Sequence, residues 1–294
     1  MSIYVLYHSS CWDGFGAAWS AWKRLGDKAT YIPVSYGAPL PELSGCDQLY
    51  ILDFSYPKET LFVLLEKYSH VTLLDHHKSA QADLEGIGDP PQSTHIDNPS
   101  PGLWVQFDMN ESGASLAWEY FYKPDIPGQR WVPEIIKYVK DRDLWQFQMP
   151  SSKEISAWLH SFPLDFEGWN WLNYCLTDDA EYHSSVAEGK AILRSQQQQI
   201  ETMCRHVQWV TLAGHSVPCV NATVLFSECG DYLCNKFPAA PFAAYYLDRN
   251  DGRQQWGLRS RNGFDVSMVA KHYGGGGHPA AAGFTILRPK IDLL

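Results

Sequence analysis

The sequence predicts an α/β protein with two domains: a parallel sheet flanked by helices, then a linker helix and a smaller α/β domain. Apolar runs of strand length alternate with helical stretches in the N-terminal part, which is typical of βαβ units. A polar, glutamine-rich helical stretch follows, and after it the pattern changes to strands with a hairpin turn. We therefore place the first domain at residues 1–177, the linker at 178–206 and the second domain at 207–294.

The elements of the first domain follow from apolar periodicity. Three apolar runs have the length and composition of strands, and Leu61, Leu64 and Leu65 recur with helical spacing. Pro133 stands where the first turn of a helix tolerates proline. The predicted strands are residues 3–7, 49–52 and 71–74, and the predicted helices are residues 14–25, 58–68, 115–122 and 133–140.

The linker and the second domain are marked by a change of pattern. Val186, Ile192 and Ile200 recur with helical spacing in the linker. An Asp251-Gly252 pair suits a hairpin turn between two later strands. The predicted strands are residues 207–212, 242–247 and 254–261, and the predicted helix is residues 266–273, where a glycine run ends it.

Composition excludes one class of partner and indicates a compartment. The chain has 23 basic and 33 acidic residues, a net charge of −10, without the basic stripe that binds duplex DNA. Seven scattered cysteines without a Cys-x-x-Cys pair argue against a disulfide framework and favour a reducing cytoplasm. The first residues lack signal-peptide character, and no apolar run approaches the ~20 residues of a membrane span. We expect a cytoplasmic monomer or homodimer without a membrane partner.

Acidic and histidine residues follow the three predicted strands of the first domain. His8 and Asp13 follow the first strand, Asp53 ends the second, and Asp75-His76-His77 ends the third. The carboxyl ends of parallel strands share one edge, where ligands of such folds bind. Each residue alone could be a helix cap, a turn former or a packed side chain. Because acidic or histidine side chains follow all three strand ends, the sequence predicts a site for divalent cations with oxygen and imidazole ligands.

These motifs resemble those of the DHH phosphoesterase superfamily, which includes RecJ-type exonucleases, nanoRNases, cyclic-dinucleotide phosphodiesterases and family II inorganic pyrophosphatases. The N-terminal resemblance rests on Asp75-His76-His77, on Asp53 and on the motif from His8 to Gly14. At the other end of the chain, the segment from Gly274 to Phe284 resembles a DHHA1 substrate-binding domain. The resemblance implies an N-terminal DHH domain with the parallel sheet and a C-terminal DHHA1 domain.

The resemblance also implies a ligand set and residue roles. Asp53 would bridge two divalent ions, with Mn²⁺ expected and Mg²⁺, Fe²⁺ or Zn²⁺ as alternatives. His77 would contact the substrate phosphate or the attacking water, and Asp75 would orient a neighbouring histidine. The implied metal ligands are His8, Cys11, Asp13, Asp53, Asp75, His76 and Asp141. Asp141 is preferred over Asp143 because Trp145 matches an aromatic position of the family's fourth motif.

Cys11 departs from the family pattern. The first motif of the family normally has an aspartate two residues before the position of Asp13, where this chain has Cys11. Sulfur is a poor ligand for Mn²⁺ and a better one for Zn²⁺ or Fe²⁺. We therefore expect the metal site at Cys11 to bind weakly or to take a softer ion.

The C-terminal motif offers candidate substrate ligands. Successive glycines let backbone N–H groups approach a phosphate, and His278 adds a side-chain donor. Arg259 and Arg261 are two residues apart on a predicted strand and could clamp a phosphate. A flexible loop and a solvated strand face are the alternatives. The candidate substrate-binding residues are Arg259, Arg261, Gly275, Gly276, Gly277 and His278.

Together these features predict a metal-dependent phosphodiesterase that hydrolyses short single-stranded oligonucleotides or linear dinucleotides to mononucleotides. Within enzymes, the alternatives are a phosphatase for 3′-phosphoadenosine 5′-phosphate and a cyclic-dinucleotide phosphodiesterase. The alternative from another class is a nucleotide-binding protein with impaired catalysis, which Cys11 in a ligand position suggests. A duplex DNA substrate is not expected, because the chain has no basic stripe.

Overall fold

The structure is a computed structural model that divides into two compact units. The units comprise residues 1–193 and 194–294, and their boundary falls inside one long helix, within the range predicted for the linker. The residues that the structure describes are 2–35, 37–88, 101–122, 131–261 and 263–288.

A five-stranded parallel sheet forms the centre of the N-terminal unit. Its strands are β1 (Ser2–His8), β2 (Ala29–Val34), β3 (Cys46–Leu52), β4 (His70–Asp75) and β5 (Gly102–Phe107). The order across the sheet is β2-β1-β3-β4-β5, with every neighbouring pair parallel. The predicted parallel sheet is confirmed, and its three central strands are the three predicted ones.

Helices cover both faces of this sheet because alternate strand residues point to opposite sides. Val5 and Leu52 pack with residues of α1 (Trp12–Leu25) and α4 (Gly113–Phe121). Leu6 and Ile51 pack on the other face with Leu61, which lies on α2 (Lys58–Lys67). A short helix, α3 (Lys78–Asp83), begins directly after the Asp75-His76-His77 motif.

Further helices of the N-terminal unit pack around tryptophans. They are α5 (Glu134–Asp143), α6 (Ser152–Leu159), α7 (Phe166–Cys175) and the first part of α8 (Asp179–Met203). Trp19, Trp158 and Trp169 are buried together with Ile136 in one apolar cluster. Most of the aromatic surplus of this unit that the structure describes therefore serves packing.

The C-terminal unit is a smaller α/β domain with a six-stranded sheet. Its elements are β6 (Gln208–Leu212), β7 (His215–Asn221), α9 (Phe226–Lys236), β8 (Ala243–Asp248), β9 (Arg253–Arg259), α10 (Val266–His272), β10 (Gly276–His278) and β11 (Ala281–Leu287). The strand order is β10-β11-β9-β8-β7-β6, with only the β7–β8 pair parallel. The predicted hairpin joins β8 to β9, and Gly252 has the positive φ of 76° that its turn requires.

Among the described residues, no helix is both long enough and apolar enough to pass through a membrane.

Candidate metal centre

The carboxyl edge of the N-terminal sheet gathers acidic, imidazole and thiol side chains. They fall into three groups, and within each group one ligand atom per residue lies within 4.8 Å of the others. The groups are Asp13, Asp53 and His76; His8, Cys11 and Asp53; and Asp53, Asp75 and His77. Because Asp53 belongs to all three groups, the cluster is arranged around its carboxylate.

Asp53 directly follows β3 and is held in an unusual conformation. Its φ of 62° is in the left-handed region, which costs a residue other than glycine on the order of 1–3 kcal/mol. Only 1% of the residue is exposed. Its Oδ1 accepts no hydrogen bond of normal geometry from the described residues, although Nε2 of His76 lies 3.1 Å away. A buried carboxylate with coordination capacity left is suited to a cation.

Asp13 lies in the first turn of α1, and its carboxylate is held by the N-terminus of α4. The backbone N–H of Gly113 donates to Oδ2 at 2.6 Å, and that of Ala114 donates to Oδ1 at 2.9 Å. Helix N-termini stabilise negative charge, so this contact fixes a carboxylate in a buried place. Residue 113 must be glycine, because a Cβ there would lie 2.5 Å from Cβ and Oδ1 of Asp53.

His76 presents one ring nitrogen to three carboxylates. Its Nε2 lies 3.1 Å from Oδ1 of Asp53, 3.5 Å from Oδ2 of Asp13 and 3.6 Å from Oδ2 of Asp143. Burial alone would lower the pKa of His76, but the three carboxylates raise it to about 10. The raised pKa shows that the negative charge of these carboxylates favours a positive charge at the position of Nε2. The donor set of oxygen and nitrogen atoms fits a divalent cation in place of that proton.

The structure places Asp143, and not the predicted Asp141, beside His76, and which of the two binds a metal stays a prediction. Asp141 turns away from the cluster: its Oδ1 accepts the N–H of Gln148 at 2.8 Å, and its Oδ2 accepts the N–H of Met149 and the hydroxyl of Ser152. Asp143 is the residue that approaches His76. Two residues two positions apart on a helix point about 200° apart, so only one of them can face the cluster. The aromatic at position 145 could not reveal which one.

Asp75 orients the ring of His77. The fully buried Asp75 accepts a hydrogen bond from Nδ1 of His77 to its Oδ1 at 2.6 Å and from the hydroxyl of Ser55 to its Oδ2 at 2.6 Å. The Oδ1 also accepts the backbone N–H of His76 at 2.7 Å. Burial opposes protonation of His77, but the contact with Asp75 outweighs burial and raises the pKa of the imidazole. The oriented histidine is therefore His77, while Asp75 reaches His76 through its backbone.

Cys11 lies beside His8 and Asp53 with a free thiol. The Nδ1 of His8 is 3.5 Å from Oδ2 of Asp53, so the histidine and the carboxylate face each other near the sulfur. Burial raises the pKa of the Cys11 thiol well above its usual value, and the charges of Asp53 and Asp13 raise it further. Cys11 is therefore close to two ligand-type side chains, and its role as a metal ligand stays a prediction.

Close approach of the backbone to β11 accounts for two of the C-terminal glycines, Gly275 and Gly277. A Cβ on Gly275 would lie 2.1 Å from the carbonyl oxygen of Gly283, and one on Gly277 would lie 2.7 Å from that of Ala281. Gly277 also has a φ of 135°. Backbone packing therefore requires glycine at these positions without any ligand, and phosphate binding by Gly275, Gly276, Gly277 and His278 stays a prediction.

The two predicted arginines have protein partners within the C-terminal unit. Arg259 ends β9, and its guanidinium donates to the hydroxyl of Ser227 at 2.7 Å and to the carbonyl of Leu258 at 2.9 Å. Arg261 follows the strand and pairs with Asp231, with Nε 2.6 Å from Oδ1. Their predicted role as a phosphate clamp stays a prediction, since a phosphate would compete with these contacts.

Comparison with known protein families agrees with the motif at the C-terminal end of the chain. Residues 226–293 match the DHHA1 domain family. The chain is 26% identical over 268 residues to "Oligoribonuclease NrnB" of Bacillus subtilis (strain 168), covering 84% of this chain and 61% of that protein. Its C-terminal part belongs to the DHHA1 domain family, and its N-terminal motifs resemble those of the DHH phosphoesterases. The Asp75-His76-His77 motif, which carries the resemblance to the DHH superfamily, lies in the N-terminal unit.

The chain is also similar to an uncharacterized viral protein and to solved structures of lower identity. "Uncharacterized protein R106" of Acanthamoeba polyphaga mimivirus is 30% identical over 300 residues, which cover 95% of this chain and 66% of that protein. The pGpG-specific phosphodiesterase PggH of Vibrio cholerae is 14% identical, with a TM-score of 0.44 and coverage of 97% and 93%. Exonuclease RecJ bound to manganese is 15% identical, with a TM-score of 0.45 and coverage of 97% and 86%. The chain spans about two thirds or less of the length of the two curated relatives.

Proposed function

We propose that the protein is a divalent-metal-dependent phosphodiesterase that hydrolyses short oligonucleotides or linear dinucleotides to mononucleotides. The observation that carries the proposal is the position of Asp53, a buried carboxylate common to three groups of ligand-type side chains. The relative named an oligoribonuclease supports the same substrate class. Location in the cytoplasm stays a prediction from the sequence.

The chain offers ligands for two cations that share Asp53. Asp13, His76 and Asp143 would complete one site, and His8 and Cys11 would complete the other. When bound, two divalent ions such as Mn²⁺ supply a water of lowered pKa and positive charge opposite the phosphoryl oxygens. Asp75 fixes the ring of His77 through Nδ1, and donation to a phosphate oxygen would use Nε2.

A panel of substrates tests this proposal. The purified protein is incubated with Mn²⁺ and pGpG, pApA, 3′-phosphoadenosine 5′-phosphate, a cyclic dinucleotide or an end-labelled pentanucleotide, and the products are separated by chromatography. We expect mononucleotides from the linear dinucleotides and the pentanucleotide. Hydrolysis of the bisphosphate alone or of the cyclic dinucleotide alone would contradict the proposal and favour the corresponding phosphatase or cyclic-dinucleotide phosphodiesterase.

A nucleotide-binding protein with impaired catalysis is the second candidate, and Cys11 beside Asp53 is the observation that favours it. Turnover and binding separate the two candidates. The second candidate predicts calorimetrically measurable pGpG binding and no product with Mn²⁺, Mg²⁺, Co²⁺ or Zn²⁺. Product formation in any one of these metals excludes it.

A further inference from the structure

The group formed by His8, Cys11 and Asp53 differs in chemistry from its neighbour. It combines one imidazole nitrogen, one sulfur and one carboxylate oxygen, and these atoms lie within 4.8 Å of one another. Cys11 occupies the N-cap position of α1, where a hydroxyl, amide or carboxylate side chain is preferred, and its side chain makes no capping hydrogen bond. Helix formation therefore gives no reason for a cysteine at this place.

The adjoining group has no sulfur. Asp13, Asp53 and His76 form it, and Asp143 lies 3.6 Å from the same nitrogen of His76. Three carboxylates and one imidazole are hard or borderline ligands, which suit Mn²⁺ or Mg²⁺. The buried Asp53 carboxylate belongs to both groups, and its Oδ1 has no hydrogen bond of normal geometry among the described residues. The Oδ1 of Asp53, which is common to the two groups, can therefore still bind a cation.

Resting on the proposed function, we propose that the two groups sort metal ions by softness, with the Cys11 thiolate as a ligand. The group of His8, Cys11 and Asp53 takes a softer ion such as Zn²⁺, Co²⁺ or Fe²⁺, because thiolate and imidazole ligands select such ions. The oxygen-rich group takes Mn²⁺ or Mg²⁺. Binding of the softer ion forms one metal–sulfur bond and releases the thiol proton to solvent.

Cobalt is the probe that tests the sulfur ligand, because Co²⁺ bound to thiolate gives a near-ultraviolet charge-transfer band. Metal-free full-length protein is titrated with Co²⁺ while absorption and bound metal are measured. We expect the band in the wild type and its loss in Cys11→Ser, with one ion fewer bound per chain. Cys234→Ser is the matched control, since Cys234 is also a half-buried free thiol, and it should keep the band.

A second measurement separates metal choice from the presence of sulfur. Cys11→Asp replaces the thiolate by a carboxylate, so it should lose the band and bind Mn²⁺ at both sites when the metal content is measured after Mn²⁺ loading. Cobalt binding to the wild type without the band, or a band that persists in Cys11→Ser, would overturn the sulfur ligand while leaving the proposed function intact. Failure of every variant to bind Co²⁺ or Mn²⁺ would overturn both.

Discussion

At the scale of single residues, Asp53 combines strain, burial and shared position. A left-handed aspartate persists only where its surroundings hold it, and here the backbone N–H of Asp53 donates to the carbonyl of Leu74 at 2.9 Å. Gly113 and His76 approach the same carboxylate from two other elements. The backbone strain is therefore located at the residue that is common to the three ligand groups of the N-terminal sheet.

Asp53→Asn should keep the fold and lose the activity. Asparagine tolerates a left-handed conformation and has the same shape, but it cannot supply a bridging negative charge. Because a metal ion contributes several kcal/mol of charge stabilisation, we expect kcat to fall at least ~1,000-fold. Product chromatography and metal content measure the loss, and the exposed Asp27→Asn serves as the control. Full turnover by Asp53→Asn would contradict the central role of this residue.

Gly113→Ala should destabilise the protein, because the added methyl group would clash with Asp53. The added methyl group would lie 2.5 Å from Cβ and Oδ1 of Asp53, so either α4 or the carboxylate must move. Overpacking of this kind costs about 1–3 kcal/mol in unfolding free energy, which urea denaturation measures. Gly45→Asn adds a side chain at a positive φ where no atom lies within 4 Å and should be nearly neutral. Equal stability of the two variants would contradict the close approach.

The residue scale also shows what the sequence could and could not predict. Asp53 and His76 follow parallel strands, whose carboxyl ends must meet, so their proximity was predictable from strand order alone. The position of Asp143 in the cluster was not predictable, because it depends on the rotation of α5 about its own axis. That rotation is fixed by tertiary contacts, including the bonds from Gln148 and Met149 to Asp141.

At the scale of elements, the two aspartates at the end of α5 make different contacts. The carboxylate of Asp141 fastens the segment that leads into α6, whereas Asp143 faces His76. In the same segment, Trp145 and Phe147 have positive φ values of 56° and 51°. The buried carboxylate of Asp141 accepts three hydrogen bonds and so holds this tight connection with its two left-handed residues in place.

Asp141→Asn should therefore lower stability, whereas Asp143→Asn should weaken metal binding. Asparagine at position 141 replaces one acceptor by a donor facing Met149 and Ser152, and the unmatched groups cost about 1–3 kcal/mol of unfolding free energy. Asparagine at position 143 removes one carboxylate from a crowded acidic cluster, so stability should hold while metal affinity falls at least ~10-fold. Urea denaturation and calorimetric Mn²⁺ titration measure the two effects. Weaker metal binding in Asp141→Asn than in Asp143→Asn would contradict the assignment.

Edge strands limited the prediction of elements. The three central strands of the parallel sheet are buried on both faces and read as continuous apolar runs, so the sequence predicts them. The two strands that were missed, β2 and β5, are the edges of the sheet. Pro33 lies in β2, where proline is tolerated because an edge strand has an unpaired side. The helices α3, α6, α7 and α9 were also missed, as was β7, an internal strand of the second sheet.

At the scale of the whole molecule, metal removal should lower stability. Asp13 and Asp143 are close to Asp53, and burial together with the neighbouring charges raises the pKa of both carboxyl groups. A cation relieves this repulsion only in the folded chain, so saturation at 100 times Kd should add about 2.7 kcal/mol to the unfolding free energy. Urea denaturation with EDTA or with Mn²⁺ measures the difference. An unchanged midpoint would mean that the acidic cluster does not bind the ion.

Net charge bears on how long a substrate the whole chain can hold. The net charge of −10 includes the carboxylates of the cluster, which bound cations would offset, so the repulsion felt by one terminal phosphate is smaller than that number suggests. A strand that crosses the remaining surface meets more acidic than basic residues, and it gains little from counterion release. We therefore expect kcat/KM to be higher for a pentanucleotide than for a single strand of about 24 nucleotides.

For the pentanucleotide, contact with two phosphates predicts a slope of about −1.4 for log(kcat/KM) against log salt between about 50 and 200 mM. A steep slope together with a preference for the long strand would reveal an extended basic contact surface and would contradict a site built for substrate ends.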